Sequence, residues 1–371
     1  MPPKSGPPQF GDPLPGLTTD QLAAFAAGKA EFQNVETVES GLGPIFNNVS
    51  CVACHSRPVT GGSSPIDVTR FGRTTNGVFD PLENEGGSLL QQFAIDPAVQ
   101  EVIPADANVI AHRQTTPLFG LGLLEAIPDA AIKANAARPS IDGVHGRAAS
   151  ITDVVSGQIR IGRFGWKAQQ ATLLAFAGDA YRNEMGITNR FFPTENAPNG
   201  NTALLARFDT TADPEDQVDP ATGRSDIDAA ADYMRLLAPP PQAPLSPSAT
   251  AGKTVFQQVG CAVCHTPMMV TGPSPIAALS NKQVWLYSDL LLHDMGGLGD
   301  GIAQADASTT EMRTAPLWGL RASGPYLHDG RAPTVDAAIR QHDGEARMSR
   351  DRYEKLSPQV RQQLLDFLNT L

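Results

Sequence analysis

Four cysteines are all that this 371-residue chain contains, and they fall into two copies of one short pattern. Cys51 and Cys54 are followed at once by His55; Cys261 and Cys264 are followed at once by His265. A C-x-x-C pair alone is ambiguous between half a zinc site and a redox dithiol. The histidine that follows points to attachment of a c-type haem. Two thiols three positions apart reach the two vinyl groups on one porphyrin edge, and the next residue then offers an imidazole to the iron. With four Cys and seven His, chance alone gives about 0.001 such pentapeptides. A four-thiolate zinc site would leave both histidines unexplained. A thioredoxin-type pair would occur once, beside a βαβ pattern, and none is present. The sequence therefore predicts two covalently bound haem c groups, with His55 and His265 as proximal iron ligands.

Haem c is attached outside the bacterial cytoplasm, which predicts a periplasmic protein. The segment Met1-Pro2-Pro3-Lys4-Ser5-Gly6 has no apolar core of a secretory signal, so the expected form is a mature or trimmed chain. No apolar run is long enough to span a membrane. The net charge is −11 and no basic run occurs, which argues against nucleic-acid binding. Gly and Pro, 34 and 31 residues, make up about one residue in six against ~12% on average, a composition rich in loops.

The text around the two motifs repeats. Ala27-Gly28-Lys29 precedes the first and Ala251-Gly252-Lys253 the second. Arg113 opens R-Q-T-T-P-L-F-G-L and Arg313 opens R-T-A-P-L-W-G-L. The proline run at 238–247 cannot be helix interior and reads as a stiff linker. The expectation is a mainly α fold with long loops, two cytochrome c-like domains in tandem. Residues 1–237 form the first, 238–247 the linker, and 248–371 the second. Helices are expected before each motif, over 226–237 and over 358–371; 56–110 and 193–224 are expected as loops.

The chain resembles the bacterial di-haem cytochrome c peroxidase superfamily. More narrowly it resembles the di-haem oxidoreductases, a peroxidase-type family also labelled thiol oxidoreductase. The strings that carry this are G-P-I-F-N-N-V-S-C-V-A-C-H (43–55), G-L-G-L-L-E-A-I-P-D (120–129), G-R-F-G-W-K-A (162–168), M-G-I-T-N (185–189), S-D-L-L-L-H-D-M-G (288–296) and G-P-Y-L-H-D-G-R-A (324–332). They cover nearly the whole chain from about Gly41.

The resemblance implies further roles. The peroxidases place a sixth iron ligand, usually Met, fourteen residues after the His of H-D-G; here that position is His342. Met295, Met312 and Met348 compete with it, while Met268 and Met269 lie too near the attachment loop. The first haem lacks the family's removable histidine, since none lies between His55 and His112. Its iron is then open, or bound by His112 or Met185. Glu184, in an E-M-G context, matches the family's acid/base carboxylate, with Glu125 the runner-up. Trp166 matches the tryptophan placed between the haems. Arg113 and Arg313 suit haem propionates. His293 and Asp294 sit in a family string without an assigned role. Ca²⁺ between the domains is a superfamily habit, though no calcium loop is legible here.

The leading reading is a peroxidase-type enzyme. It reduces hydrogen peroxide, or another small oxidant, at the N-terminal haem. Electrons come from a small cytochrome or cupredoxin-like donor through the C-terminal haem. The alternatives are oxidation of an organic or protein substrate through high-valent haem, and pure electron transfer. A homodimer would follow the superfamily habit.

Overall fold

Each C-x-x-C-H sequence lies just beyond a helix that is crossed by a second helix closing the same half. In the first half the pair is α1 (Thr19–Phe32) and α3 (Asp226–Leu236); in the second it is α4 (Pro247–Val259) and α5 (Pro358–Leu368). The repeated Ala-Gly-Lys text explains how they fit. A Cβ on Gly28 would sit 2.2 Å from the Ala229 carbonyl oxygen, and one on Gly252 would sit 1.8 Å from that of Gln363. Only glycine allows backbones to approach so closely. The helix starts follow from their caps. Thr18 and Gln21 form a reciprocal capping box on α1, and Ser246 and Ser357 cap helices that open with Pro247 and Pro358.

This computed structural model describes residues 7–213 and 216–371. Its content is 34% helix and 15% strand, so the expectation of a mainly α chain is corrected to a mixed fold. Within the stretch expected as loop over 56–110 lies a strand, β1 (Asp67–Thr75). It pairs antiparallel with β2 (Val109–Gln114), with Val68 opposite Arg113. Short strands at Val78–Asp80 and Leu89–Leu90 complete a four-stranded sheet. Both faces of β1 are used. Thr69 and Phe71 are buried on one face, while Val68 and Arg70 line a cavity on the other. Polar residues therefore face inward, and the apolar alternation that marks a half-buried strand is missing.

Residues 239–246 carry neither helix nor strand. The apolar core does not divide there. Met269, Leu279, Val284, Leu286, Leu290, Leu291 and Trp318 pack in the cluster built mainly from the first half. The second cluster joins α4 and α5 through Phe256, Leu364, Phe367 and Leu368, with Tyr287 and Tyr353. No helix among the described residues is long and apolar enough to cross a membrane.

Candidate functional site

Two cavities, of about 190 and 290 Å³, each hold one cysteine pair and its histidine. The first is lined by Cys51, Cys54 and His55, the second by Cys261, Cys264 and His265. The four thiols therefore do not converge on one metal. Burial pushes the Cys51 and Cys54 thiols up to about 12 and about 11, the reverse of a reactive redox dithiol.

Both histidines are set in the same way. His55 donates Nδ1–H to the Gly62 carbonyl at 3.1 Å, and His265 donates to the Tyr287 carbonyl at 3.0 Å. The tautomer is thereby fixed and Nε2 is left as a bare lone pair, the arrangement of a metal-ligating imidazole. Burial pushes both rings down to about 4, so they are neutral and able to ligate. Phe32 of α1 packs against the His55 ring at 5.8 Å.

In the first cavity Glu184 sits on a π-helical turn, Tyr181–Met185, that continues α2 (Leu173–Ala180). Such turns recur at functional sites. The turn ends at Gly186, with φ 65°, where a side chain would meet Gly43 at 2.9 Å. That close approach brings the strand before the first cysteine onto the turn. Asn47 and Asn48 donate their backbone N–H groups to the Glu184 carbonyl at 2.8 and 3.1 Å. The Asn47 side chain donates Nδ2–H to Glu184 Oε2 at 2.9 Å, while its Oδ1 accepts from Gln92 N–H at 3.0 Å. Burial raises the Glu184 carboxyl above its usual range, against the pull of Asn47 and Arg70. Met185 lines the same cavity.

His112 does not. On β2 it alternates with buried Ala111 and Arg113 and faces solvent, 3.3 Å from Asp67. His112 is thus removed as a sixth ligand. Glu125, the alternative carboxylate, lies outside both cavities; it binds Arg235 at 2.6 Å and accepts from Leu173 N–H at 2.7 Å.

In the second cavity His342 donates Nδ1–H to the Ala338 carbonyl at 2.8 Å, again leaving Nε2 bare. Its charge would act on His265. Met295 and Met312 line this cavity as well, whereas Met348 is 46% exposed and does not.

Trp166 lines both cavities. Its Nε1–H donates to the Gln114 carbonyl at 2.9 Å, its own carbonyl accepts from Arg313 N–H at 2.8 Å, and its ring meets His328 edge-on at 6.3 Å. Arg313 is buried in the second cavity, where its guanidinium donates to the carbonyls of Gly165 and Thr314. Burial lowers it to about 10 against the charge of Asp289, and a guanidinium fork of this kind suits a carboxylate. Arg113 lines the first cavity but is already held by Asp300 at 2.7 Å.

Arg70 escaped the sequence, and His293 had no role there. Arg70 lines the first cavity, is lowered to about 10 by burial, and leaves Nε without a partner. His293, beside Cys264 in the second, is clasped by Asp289 at 3.0 Å and Glu345 at 2.7 Å. Burial opposes its charge, but these hydrogen bonds outweigh it and hold the ring up to about 12. Asp289, His293 and Cys264 form a ligand-type cluster among the described residues; it includes a thiol of the second C-x-x-C-H motif and is not an oxygen cage for calcium.

Residues 96–371 match the family described as "Di-haem oxidoreductase, putative peroxidase". The chain belongs to this family. As a di-haem oxidoreductase it is an enzyme with two haem groups, and the two cavities fit them. A curated relative is the methylamine utilization protein MauG of Methylorubrum extorquens, 32% identical over 128 residues. That match spans 31% of this chain and 31% of the relative's length. Among solved structures, the di-haem peroxidase BthA of Burkholderia thailandensis covers 100% of this di-haem oxidoreductase and 93% of its own chain, at 15% identity and TM-score 0.44. Hydrazine synthase of Kuenenia stuttgartiensis covers 100% and 98%, at 16% identity and TM-score 0.43.

Proposed function

We propose that this di-haem oxidoreductase reduces hydrogen peroxide in its first cavity, with electrons entering through the second. The haems are c-type, held through Cys51 and Cys54 and through Cys261 and Cys264, and the protein works in the periplasm with a small cytochrome or cupredoxin-like donor. When bound, the two haems would supply one-electron redox chemistry, passing the donor's electrons to peroxide.

The chain's own residues divide the work. His55 and His265 offer Nε2 to iron because Gly62 and Tyr287 hold their other nitrogen. In the second cavity His342 offers a further bare Nε2, which suits a closed, electron-carrying site. In the first cavity His55 is the one histidine among the lining residues, which suits a site open to peroxide. Glu184 accepts a proton from the inner peroxide oxygen and returns it to the outer one, a transfer within reach of a carboxyl raised by burial. Trp166 links the two cavities as the π system they share. Arg313 and Arg113 border the sites, Arg313 as the propionate partner.

The single observation that carries this reading is Glu184, clamped by Asn47 in the cavity of the first cysteine pair. The test is turnover of peroxide by holoprotein with a reduced c-type cytochrome, with spectra of the ferric and half-reduced forms. A high-spin band and a rate cut about 10²–10⁴-fold by Glu184→Gln are expected. Two haems that stay low-spin in every redox state and bind neither cyanide nor peroxide would make the protein an electron carrier. Trp166, shared by both cavities, favours the second reading, oxidation of an organic or protein substrate, if peroxide turnover needs such a substrate instead of the cytochrome.

A further inference from the structure

A second carboxylate shares the first cavity with Glu184, and the chain places a guanidinium to serve both. Asp179 and Glu184 both line the cavity, and they lie on either side of the α2 to π-turn junction, five positions apart. One turn of π-helix closes over such an interval, so the irregular turn keeps both carboxylates on the cavity side. Asp179 accepts from Asn183 Nδ2–H at 2.9 Å, and Asn196 in turn donates to Asn183 Oδ1 at 3.2 Å. Arg70 reaches in from β1 with its charge on both carboxylates and its Nε unpaired. Beyond these, the charged neighbours acting on Asp179 are Arg182 and Glu184, and Arg113 opposes Arg70.

We propose that Asp179 is the second proton carrier of the first cavity, loading the protons that peroxide reduction consumes while Glu184 moves the proton it conserves. The inference rests on the peroxidase reading. In the overall reaction H2O2 takes two electrons and two protons and gives two waters; the O–O bond breaks and each oxygen is reduced. The electrons come from a one-electron cytochrome donor, used twice. The proton that Glu184 takes from the inner oxygen goes back to the outer one, so Glu184 supplies none of the two. Both must enter from solvent through another group. Two carboxylates buried in one cavity repel each other's charge, and burial and that repulsion favour one proton held between them against the pull of Arg70 and Arg182. Asp179 is then the group that reloads while Glu184 shuttles.

The experiment compares wild type, Asp179→Asn and Asp179→Glu holoproteins in steady-state peroxide reduction across pH, with haem spectra as the folding control. Asp179→Asn is expected to lose about tenfold or more in kcat with both haem spectra intact. Asp179→Glu is expected to restore the rate with a displaced pH profile. An Asn variant with the wild-type rate and profile would overturn the proposal. If the Asn variant fails to load haem, the Glu variant decides, and an unchanged profile there would overturn it equally. A wild type that does not reduce peroxide sinks the parent reading and this one with it. A wild type that does, with Asp179 indifferent, sinks this one alone.

Discussion

Asn47 donates its side-chain amide to Glu184 at 2.9 Å, and the backbone N–H of Gln92 fixes which way that amide points. Asn47 is buried and lies four residues before Cys51. The loop that carries the first C-x-x-C-H motif therefore also positions Glu184, the carboxylate proposed as acid/base.

Removing that amide has a definite sign. A hydrogen bond to the carboxylate favours its charged form, so Asn47→Leu drives the Glu184 carboxyl further up. The pH profile of peroxide turnover should move to higher pH. The rate should fall about 10- to 100-fold, the weight of a hydrogen bond to a charged group at ~1.5–3 kcal/mol. Steady-state rates across pH check this; a profile that does not move would remove Asn47 from the site.

In the second cavity His342→Met tests the sixth ligand. Imidazole favours the ferric state more than thioether does. The substitution should raise the potential of one haem and leave the other in place. A tenfold change in relative preference corresponds to about 59 mV for one electron, well within a redox titration followed by absorbance. Two unshifted potentials would leave Met295 or Met312 as the ligand.

That the chain holds two haems was legible because the motif is contiguous: five residues carry both thiols and the imidazole. Family strings singled out Glu184 and Trp166, which the fold places at the cavities, and apolar spacing and caps marked the closing helices. Arg70 was not. It belongs to a strand whose two faces are both inward, so no alternation marks it, and the carboxylates whose charge acts on it, Asp179, Glu184 and Asp300, are more than a hundred residues away in the chain. The His293 clasp needs Asp289 from its own segment and Glu345 from another, and only the fold brings these together. The core that crosses the proline run was hidden for the same reason. Segments such as 284–291 look like second-half text, yet Leu286, Leu290 and Leu291 pack in the first cluster.

Asp300 binds Arg113 at 2.7 Å and Lys167 at 2.9 Å, with all three side chains at or near zero exposure. It joins residues of the first half to a loop of the second beside Trp166. Asp300→Ala leaves two buried cations without their counter-charge, and breaking a buried pair this way costs about 3–5 kcal/mol. Chemical denaturation of the holoprotein should show the loss. A change under about 1 kcal/mol would mean that water already reaches the triad.

Arg147 grips Glu311 through two parallel contacts, Nε to Oε1 at 2.6 Å and an Nη2 contact to Oε2 at 2.7 Å. Burial alone would raise the Glu311 carboxyl, but Arg147 and the Ser308 N–H hold it down at about 2. A carboxyl lowered in the folded state contributes stability that is present above its unfolded value, near 4.5, and is lost as pH falls toward 2. Wild type should therefore lose stability across that window by more than Glu311→Gln does, because the variant has no proton to take up there. Denaturation midpoints at several pH values between 2 and 5 give the comparison. Parallel acid limbs in the two proteins would show that the Arg147 clamp, which ties the segment before Ala148 to the strand Glu311–Arg313, opens before the fold does.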